Sequence, residues 1–84
     1  MHVEFLGIPR ERAGVAELEL DADTLGQLLS ALERRFPKLD AIIDAGRLQS
    51  SFAANLNGDR FISDPRTRLS ASDRVLILSA DAGG

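Results

Sequence analysis

The chain has 84 residues, 44% of them hydrophobic and 27% charged, and no cysteine, which favours one globular domain and excludes disulfides, thiolate metal sites and cysteine nucleophiles. The net charge of −3 argues against nucleic acid as a partner, because phosphate binding needs a basic face. No apolar run approaches the roughly 20 residues of a membrane-spanning helix and the N-terminus lacks a signal-peptide pattern, so we expect a cytoplasmic protein with no membrane partner.

The first 20 residues predict two strands. Residues 2–8 begin as an apolar and β-branched run, which Pro9 closes. Residues 15–20 alternate between apolar and acidic side chains, the pattern of a strand with one face toward the core. We expect these strands to pair as a hairpin across a loop at residues 9–14.

A helix is predicted next. Thr24 and Gln27 form the T-x-x-Q pattern of a capping box, and Pro37 ends the helix. One apolar stripe lies at helical spacing and consists of Leu25, Leu28, Leu29, Leu32 and Phe36. Residues 39–45 predict a second short helix ended by Gly46, with three residues facing inward, Leu39, Ile42 and Ile43.

The second half of the chain returns to strands. Residues 51–56 and 61–62 flank Asn57-Gly58, a strong hairpin signal because both residues tolerate positive φ. A polar loop follows, and residues 74–79 form the last strand. Four consecutive apolar residues in that strand predict burial on both faces and therefore a central position. The predicted fold class is α+β, with a mixed sheet of about five strands, one main helix and a short second helix.

Inside the chain we find no catalytic or phosphate-binding motif. The single histidine, His2, stands next to the initiator and cannot build a metal site alone. The acids of residues 17–23 are spaced by two along a strand and its exit, which is typical of a solvated face rather than a cation site. We therefore expect no metal, no bound cofactor and no enzymatic activity in the chain itself.

The C-terminus is the unusual feature. Gly83-Gly84 follows soon after the last apolar residue of a central strand, so we expect a body of residues 1–78 and a flexible tail of residues 79–84. Extended, this tail reaches about 20 Å, and glycine lets it enter a narrow channel. Its α-carboxyl is a carboxylate at neutral pH, a poor electrophile that another enzyme must activate.

A set of positions carries a family resemblance: Asn57-Gly58, Leu69, Asp73, Val75, Ile77 and Gly83-Gly84. Together with residues 23–29 and Leu32, they resemble the MoaD/ThiS family of sulfur carriers, whose fold is the ubiquitin-like β-grasp. Length and the segment 39–46 look more like the small subunit of molybdopterin synthase than the thiamine carrier. Ser72 stands where the family commonly has a turn glycine, so the turn must avoid positive φ there or be strained.

The resemblance implies a reaction cycle with partner enzymes. An E1-like enzyme would use ATP to adenylate Gly84, sulfur would replace AMP, and the resulting thiocarboxylate would donate its sulfur to a precursor. The acceptor enzyme would be one such as the molybdopterin synthase large subunit. Gly83, Ala82 and Asp81 would occupy the partner channel, where the charge of Asp81 suits basic walls.

A partner surface is expected on the sheet beside the tail. Its candidates are Leu76, Leu78 and Phe61, although the two leucines are equally consistent with buried core. Other functions remain open: sulfur carriage for cysteine, thiamine, tRNA or secondary-metabolite thiolation, a ubiquitin-like protein modifier, or a non-catalytic β-grasp interaction module.

Overall fold

The computed structural model describes residues 1–80. None of the helices in that range has the length and apolar character needed to cross a bilayer. In chain order the elements are β1 (His2–Phe5), α1 (Ile8–Ala13), β2 (Glu17–Glu19), α2 (Leu25–Arg35), a 3-10 helix (Pro37–Ala41), β3 (Ile43–Asp44), β4 (Arg47–Leu48), β5 (Phe52–Leu56), β6 (Arg60–Ile62) and β7 (Arg74–Ser79).

Five strands form one mixed sheet in the order β2-β1-β7-β5-β6, and β3 pairs with β4 in a separate two-stranded sheet. The last strand, β7, lies in the centre, parallel to β1 and antiparallel to β5. The predicted fold class, the hairpin of β1 with β2 and the central position of β7 are therefore confirmed.

The core lies between α2 and one face of the sheet. The predicted stripe of α2 is buried at all four of its leucines, and the sheet contributes Val3, Phe5, Ala54, Leu56, Ile62, Val75 and Ile77. Full burial of each leucine stabilises the fold by roughly 1.5–3 kcal/mol. Phe36 is only partly buried and packs edge-to-face on Phe5, with ring centroids 5.9 Å apart.

The first strand is shorter than predicted. Strand β1 ends at Phe5, because Gly7 takes a φ of 69° that the extended strand does not allow. The expected loop at residues 9–14 is instead α1. Pro9 falls in the first turn of that helix, where its missing N–H costs nothing, so the sequence signal was a helix start and not a strand stop.

The second predicted helix, at residues 39–45, is also wrong in form. A 3-10 helix ends at Ala41, and β3 and β4 follow as a small hairpin. Ala45 and Gly46 both take positive φ and make its turn. The inward positions were nevertheless correct, since Leu39, Ile42 and Ile43 are buried.

Hydrogen bonds of the Asn57 side chain fix the start of β7 against the β5–β6 turn. Asn57 and Gly58 take the predicted positive φ, and the Asn57 amide donates to Asp73 Oδ1 at 2.9 Å while its Oδ1 accepts from the Arg74 N–H at 2.8 Å. The Asn57 bond, joined by one from the Ser70 N–H, lowers the pKa of Asp73. Ser72 is not among the residues with positive φ, so this turn avoids strain there.

The N-terminus of α2 is capped from two directions. Thr24 Oγ1 accepts from the Gln27 N–H at 3.2 Å, and the Gln27 side chain accepts from the N–H of Asp23 rather than of Thr24. The loop before β7 also contributes, because the Gly26 N–H donates to Pro65 O at 2.9 Å. A Cβ added at Gly26 would lie 3.0 Å from Pro65 Cβ, so glycine permits this contact.

We expect Gly26→Ala to destabilise the fold by about 1–3 kcal/mol, because the new methyl group overlaps a rigid proline ring, although alanine has the better helix propensity by about 1 kcal/mol. Urea unfolding measures the free energy. The control is Arg34→Ala on the exposed side of α2, which should change stability by less than about 0.5 kcal/mol. A Gly26→Ala variant as stable as the parent would contradict the close approach.

Candidate functional site

The sheet face turned away from α2 carries the three residues that the sequence proposed as a partner surface. Leu76 pairs with Asn55 of β5, and Asn55 pairs with Phe61 of β6. Residues paired across strands point to the same face, and Leu78 follows Leu76 two positions along β7. We call this surface the open face.

One half of the open face is apolar. Phe61 is 66% exposed, while Leu76, Leu78 and Ala53, which pairs with Leu78, are half-buried. The expectation that β7 is buried on both faces is therefore wrong, because the described chain places α2 over Val75 and Ile77 only. We call Leu76, Leu78, Ala53 and Phe61 the apolar half.

Leu6 extends the apolar half and was not predicted. It follows β1, its N–H donates to Ile77 O at 3.0 Å, and its side chain is 47% exposed. Sequence patterning assigned Leu6 to a strand, and an apolar residue in a strand gives no sign of whether its face is covered. Leu6 lies two positions beyond Glu4, so strand alternation places it on the same open face, which α2 does not cover.

The other half of the open face is charged. It consists of Glu17 and Glu19 of β2, His2 and Glu4 of β1, and Arg74 of β7. His2 Nδ1 lies 2.9 Å from Glu19 Oε1, and its Nε2 lies 3.3 Å from Glu4 Oε1 and 3.6 Å from Glu17 Oε2. Arg74 Nη2 donates to the same Glu4 oxygen at 2.8 Å. We call these five residues the charged half.

These contacts shift two pKa values in opposite directions. The hydrogen bond to Glu19 raises the pKa of His2, with Glu17 acting in the same sense. The hydrogen bond from Arg74 lowers the pKa of Glu4. Donor atoms of His2, Glu4 and Glu17 lie within 4.8 Å of one another, close enough for a metal ion, but the ion pairs alone account for their positions.

The chain leaves the sheet at the end of β7. Ser79 pairs with Phe52, and the Ala80 N–H donates to Ser51 O at 2.7 Å. Leu78 therefore lies immediately before the point where the described chain ends. The reactive residue expected at Gly84 and the channel residues Gly83, Ala82 and Asp81 lie outside the described residues.

The mixed sheet, its central last strand and the single main helix define a ubiquitin-like β-grasp domain. The chain belongs to the ThiS family, whose sequence model matches residues 3–84. No curated protein matches the sequence.

Three solved structures illustrate what the chain resembles. Small archaeal modifier protein 1 from Methanosarcina acetivorans is 27% identical, with a TM-score of 0.80 over 99% of this chain and 94% of that one. CysO from Mycobacterium tuberculosis is 25% identical, with a TM-score of 0.77 over 94% and 97%. A Pyrococcus furiosus protein assigned as molybdopterin converting factor subunit 1 is 22% identical, with a TM-score of 0.73 over 93% of each chain.

The charged half predicts a pH dependence of stability. The pKa of His2 is raised in the folded state. The stabilisation of the fold by protonated His2 is therefore fully present below the unfolded pKa of about 6.5, and it is lost as the pH rises through the folded pKa. The stability difference between the parent and His2→Gln should therefore shrink from about pH 5 to about pH 9, measured by urea unfolding at constant ionic strength.

The control is Arg10→Gln, on the exposed surface of α1. Its stability difference from the parent should show no comparable trend over the same pH range. A His2→Gln difference that grows as the pH rises would reverse the expected sign and contradict the ion-pair description of the charged half.

Proposed function

We propose that this protein is a sulfur carrier whose C-terminal Gly84 becomes a thiocarboxylate. Membership of the ThiS family over residues 3–84 supports the proposal most directly, because the match includes the terminal glycines. The course of the central strand also supports it. Strand β7 leads from the middle of the sheet toward the C-terminus, beside an exposed apolar surface on which a partner enzyme could dock.

The proposed cycle is the one that the family resemblance implies, and it begins with activation because a carboxylate is a poor electrophile. An E1-like enzyme joins the Gly84 carboxylate to the α-phosphate of ATP and releases pyrophosphate. A persulfide-derived sulfur then attacks the acyl carbon, the bond from that carbon to the AMP oxygen breaks, and AMP leaves. The acyl disulfide so formed is cleaved by a second thiol, which forms a disulfide with the sulfur donor and releases the thiocarboxylate. Transfer of that sulfur to an acceptor, with water supplying the replacing oxygen, regenerates the carboxylate. The carrier needs no cofactor of its own in this cycle, and an ATP-dependent partner would place it in the cytoplasm.

For the acceptor, we propose a molybdopterin-type pathway, with an enzyme such as the molybdopterin synthase large subunit. The likeness to the Pyrococcus furiosus protein over 93% of each chain is consistent with this branch, although at 22% identity it concerns the fold alone. Thiolation for cysteine, thiamine, tRNA or a secondary metabolite uses the same carrier chemistry. The branches are distinguished by supplying the thiocarboxylate form of the carrier with the acceptor of each pathway in turn.

The proposal is tested by intact mass. The protein is incubated with E1-like enzymes, ATP and a sulfide source, and we expect a mass increase equal to the replacement of one oxygen by sulfur. Fragmentation should locate the change at Gly84. A variant lacking Gly84 should remain unmodified, and a parent protein that remains unmodified with every activating enzyme would contradict the proposal.

The apolar half is proposed as the docking surface for these partners. Phe61→Ala should lower kcat/KM of the activating enzyme by about tenfold or more, since truncation of an aromatic side chain that an interface buries costs about 2 kcal/mol. Folding stability should change by less than about 0.5 kcal/mol, because Phe61 lies at the surface. Initial rates of pyrophosphate release measure the effect.

The matched control is Val15→Ala. Val15 is also an exposed apolar residue, but it precedes β2 at the opposite edge of the sheet from β6. Its kcat/KM should equal that of the parent. Equal losses in the two variants, or no loss in Phe61→Ala, would remove the apolar half from the proposed interface.

A second candidate function is protein modification. It is favoured by the likeness to a small archaeal modifier protein at 27% identity over nearly the whole of both chains. Activation of Gly84 would be the same, but the acyl group would pass to a lysine of another protein. Isopeptide-linked adducts in cell lysate that disappear on deletion of Gly84 would support this function.

A further inference from the structure

The amines of this chain are unusually few. Of the 10 lysine and arginine residues, Lys38 is the one lysine. Guanidinium groups stay protonated near neutral pH, whereas a lysine amine can lose its proton and act as a nucleophile. An activated acyl group at Gly84 of a second copy could therefore react with only two amines, Lys38 Nζ and the α-amine of Met1.

The α-amine of Met1 is engaged in the fold. It donates to Leu20 O at 3.1 Å and lies 3.5 Å from Asp21 Oδ1 and 3.8 Å from Glu19 Oε2. The Met1 side chain is only 1% exposed. To attack an acyl group, this amine would have to leave the hydrogen bond that joins it to the strand exit of β2, which makes it a poor acceptor.

Lys38 lies in the opposite situation. It is exposed on the 3-10 helix, and no ion pair within residues 1–80 involves it. It lines a shallow depression of about 290 Å³ together with Phe36 and Pro37, and with Glu11 and Arg12 of α1. The last turn of α2 adds Arg34 and Arg35 nearby in the chain.

An incoming C-terminal segment would meet charges of both signs around Lys38. The last residues of a second copy, Ser79 to Gly84, carry one charged side chain, Asp81. The region around Lys38 carries the arginines Arg12, Arg34 and Arg35 together with the acids Glu11 and Asp40, and the arginines are the groups with which Asp81 would pair.

Lys38 is also remote from the open face. The 3-10 helix packs on α1 and α2, and α2 covers the buried face of the sheet. A partner enzyme bound to the apolar half of one copy would consequently leave Lys38 of that copy accessible. The open face and the acceptor amine thus lie on separate surfaces of the domain.

We propose that Lys38 is the site at which this protein accepts the activated C-terminus of a second copy. The inference rests on the proposed activation of Gly84 by an E1-like enzyme with ATP. Nζ of Lys38 attacks the acyl carbon of the Gly84 adenylate, and a carbon–nitrogen bond forms. The bond from the acyl carbon to the AMP oxygen breaks, AMP leaves with the electron pair, and the amine proton passes to water.

The test compares the parent with Lys38→Arg, which keeps the charge and removes the nucleophile. Each is incubated with E1-like enzymes and ATP, with and without sulfide. Intact mass reports both products: the thiocarboxylate, and a covalent dimer whose mass is two chains less one water. Peptide mapping identifies the linked amine, and circular dichroism confirms that both proteins are folded.

We expect the parent to form a dimer linked through Lys38 in the arm without sulfide, and Lys38→Arg to lose at least about nine-tenths of it. Dimers linked through Met1, or equal dimer formation by Lys38→Arg, would overturn the inference. Thiocarboxylate without any dimer would overturn it and leave the sulfur-carrier proposal standing. A Lys38-linked dimer without thiocarboxylate would support the inference and contradict sulfur carriage, and the absence of both products would overturn both.

Discussion

The structure depends on the different environments of the two faces of β7, one of which is buried in the core while the other faces outward. Val75 and Ile77 point into the core beneath α2, and their burial holds the last strand between β1 and β5. Leu76 and Leu78, on the alternate positions, face outward and remain half-buried. A single strand thereby anchors the C-terminal end of the chain and presents apolar surface next to it, so the stability of the fold and the proposed docking of partners share one element.

The open face has two chemically distinct halves because the sheet has two different edges. The β2 edge brings carboxylates to His2, and the β6 edge places the Phe61 ring on the same face as Leu76, with Asn55 of β5 between them. Ion pairs at exposed positions contribute little to folding stability, whereas desolvated aromatic contacts dominate interfaces. We therefore expect the apolar half to supply most of the affinity for a partner and the charged half to orient it.

Sequence patterning predicted the parts of the fold that local chemistry specifies. The stripe of leucines in α2, the Thr24 cap and the Asn57-Gly58 turn each carry a local signal, and each is confirmed. In two regions the local sequence pattern did not determine the secondary structure. The effect of Pro9 depends on whether the preceding residues are strand or turn, and residues 39–46 have an apolar spacing that fits a helix and a 3-10 turn with a hairpin alike.

The site was predictable only to the extent that strand alternation implies two faces. Alternation separates Leu76 from Val75, but it does not say which face a helix covers, because that is decided by the crossover of the chain far away in sequence. The strand pairing that aligns Phe61 and Leu76 on either side of Asn55 likewise depends on the tertiary structure and cannot be predicted from local sequence. The exposure of Leu6 has the same origin, because Leu6 lies two positions beyond Glu4 on the face that α2 leaves uncovered.

The central and partly parallel placement of β7 has a mechanical consequence. A force applied along the axis of β7 loads its hydrogen bonds to β1 and β5 together, in shear, so that they do not open one after another as at a peeled edge. The hydrogen bond between Asn57 and Asp73 lies at the start of β7 and opposes displacement of the strand there. An unfolding enzyme that pulls along this axis from the C-terminus must break the middle of the sheet first. The same force on β2 or β6 would act against only one neighbouring strand.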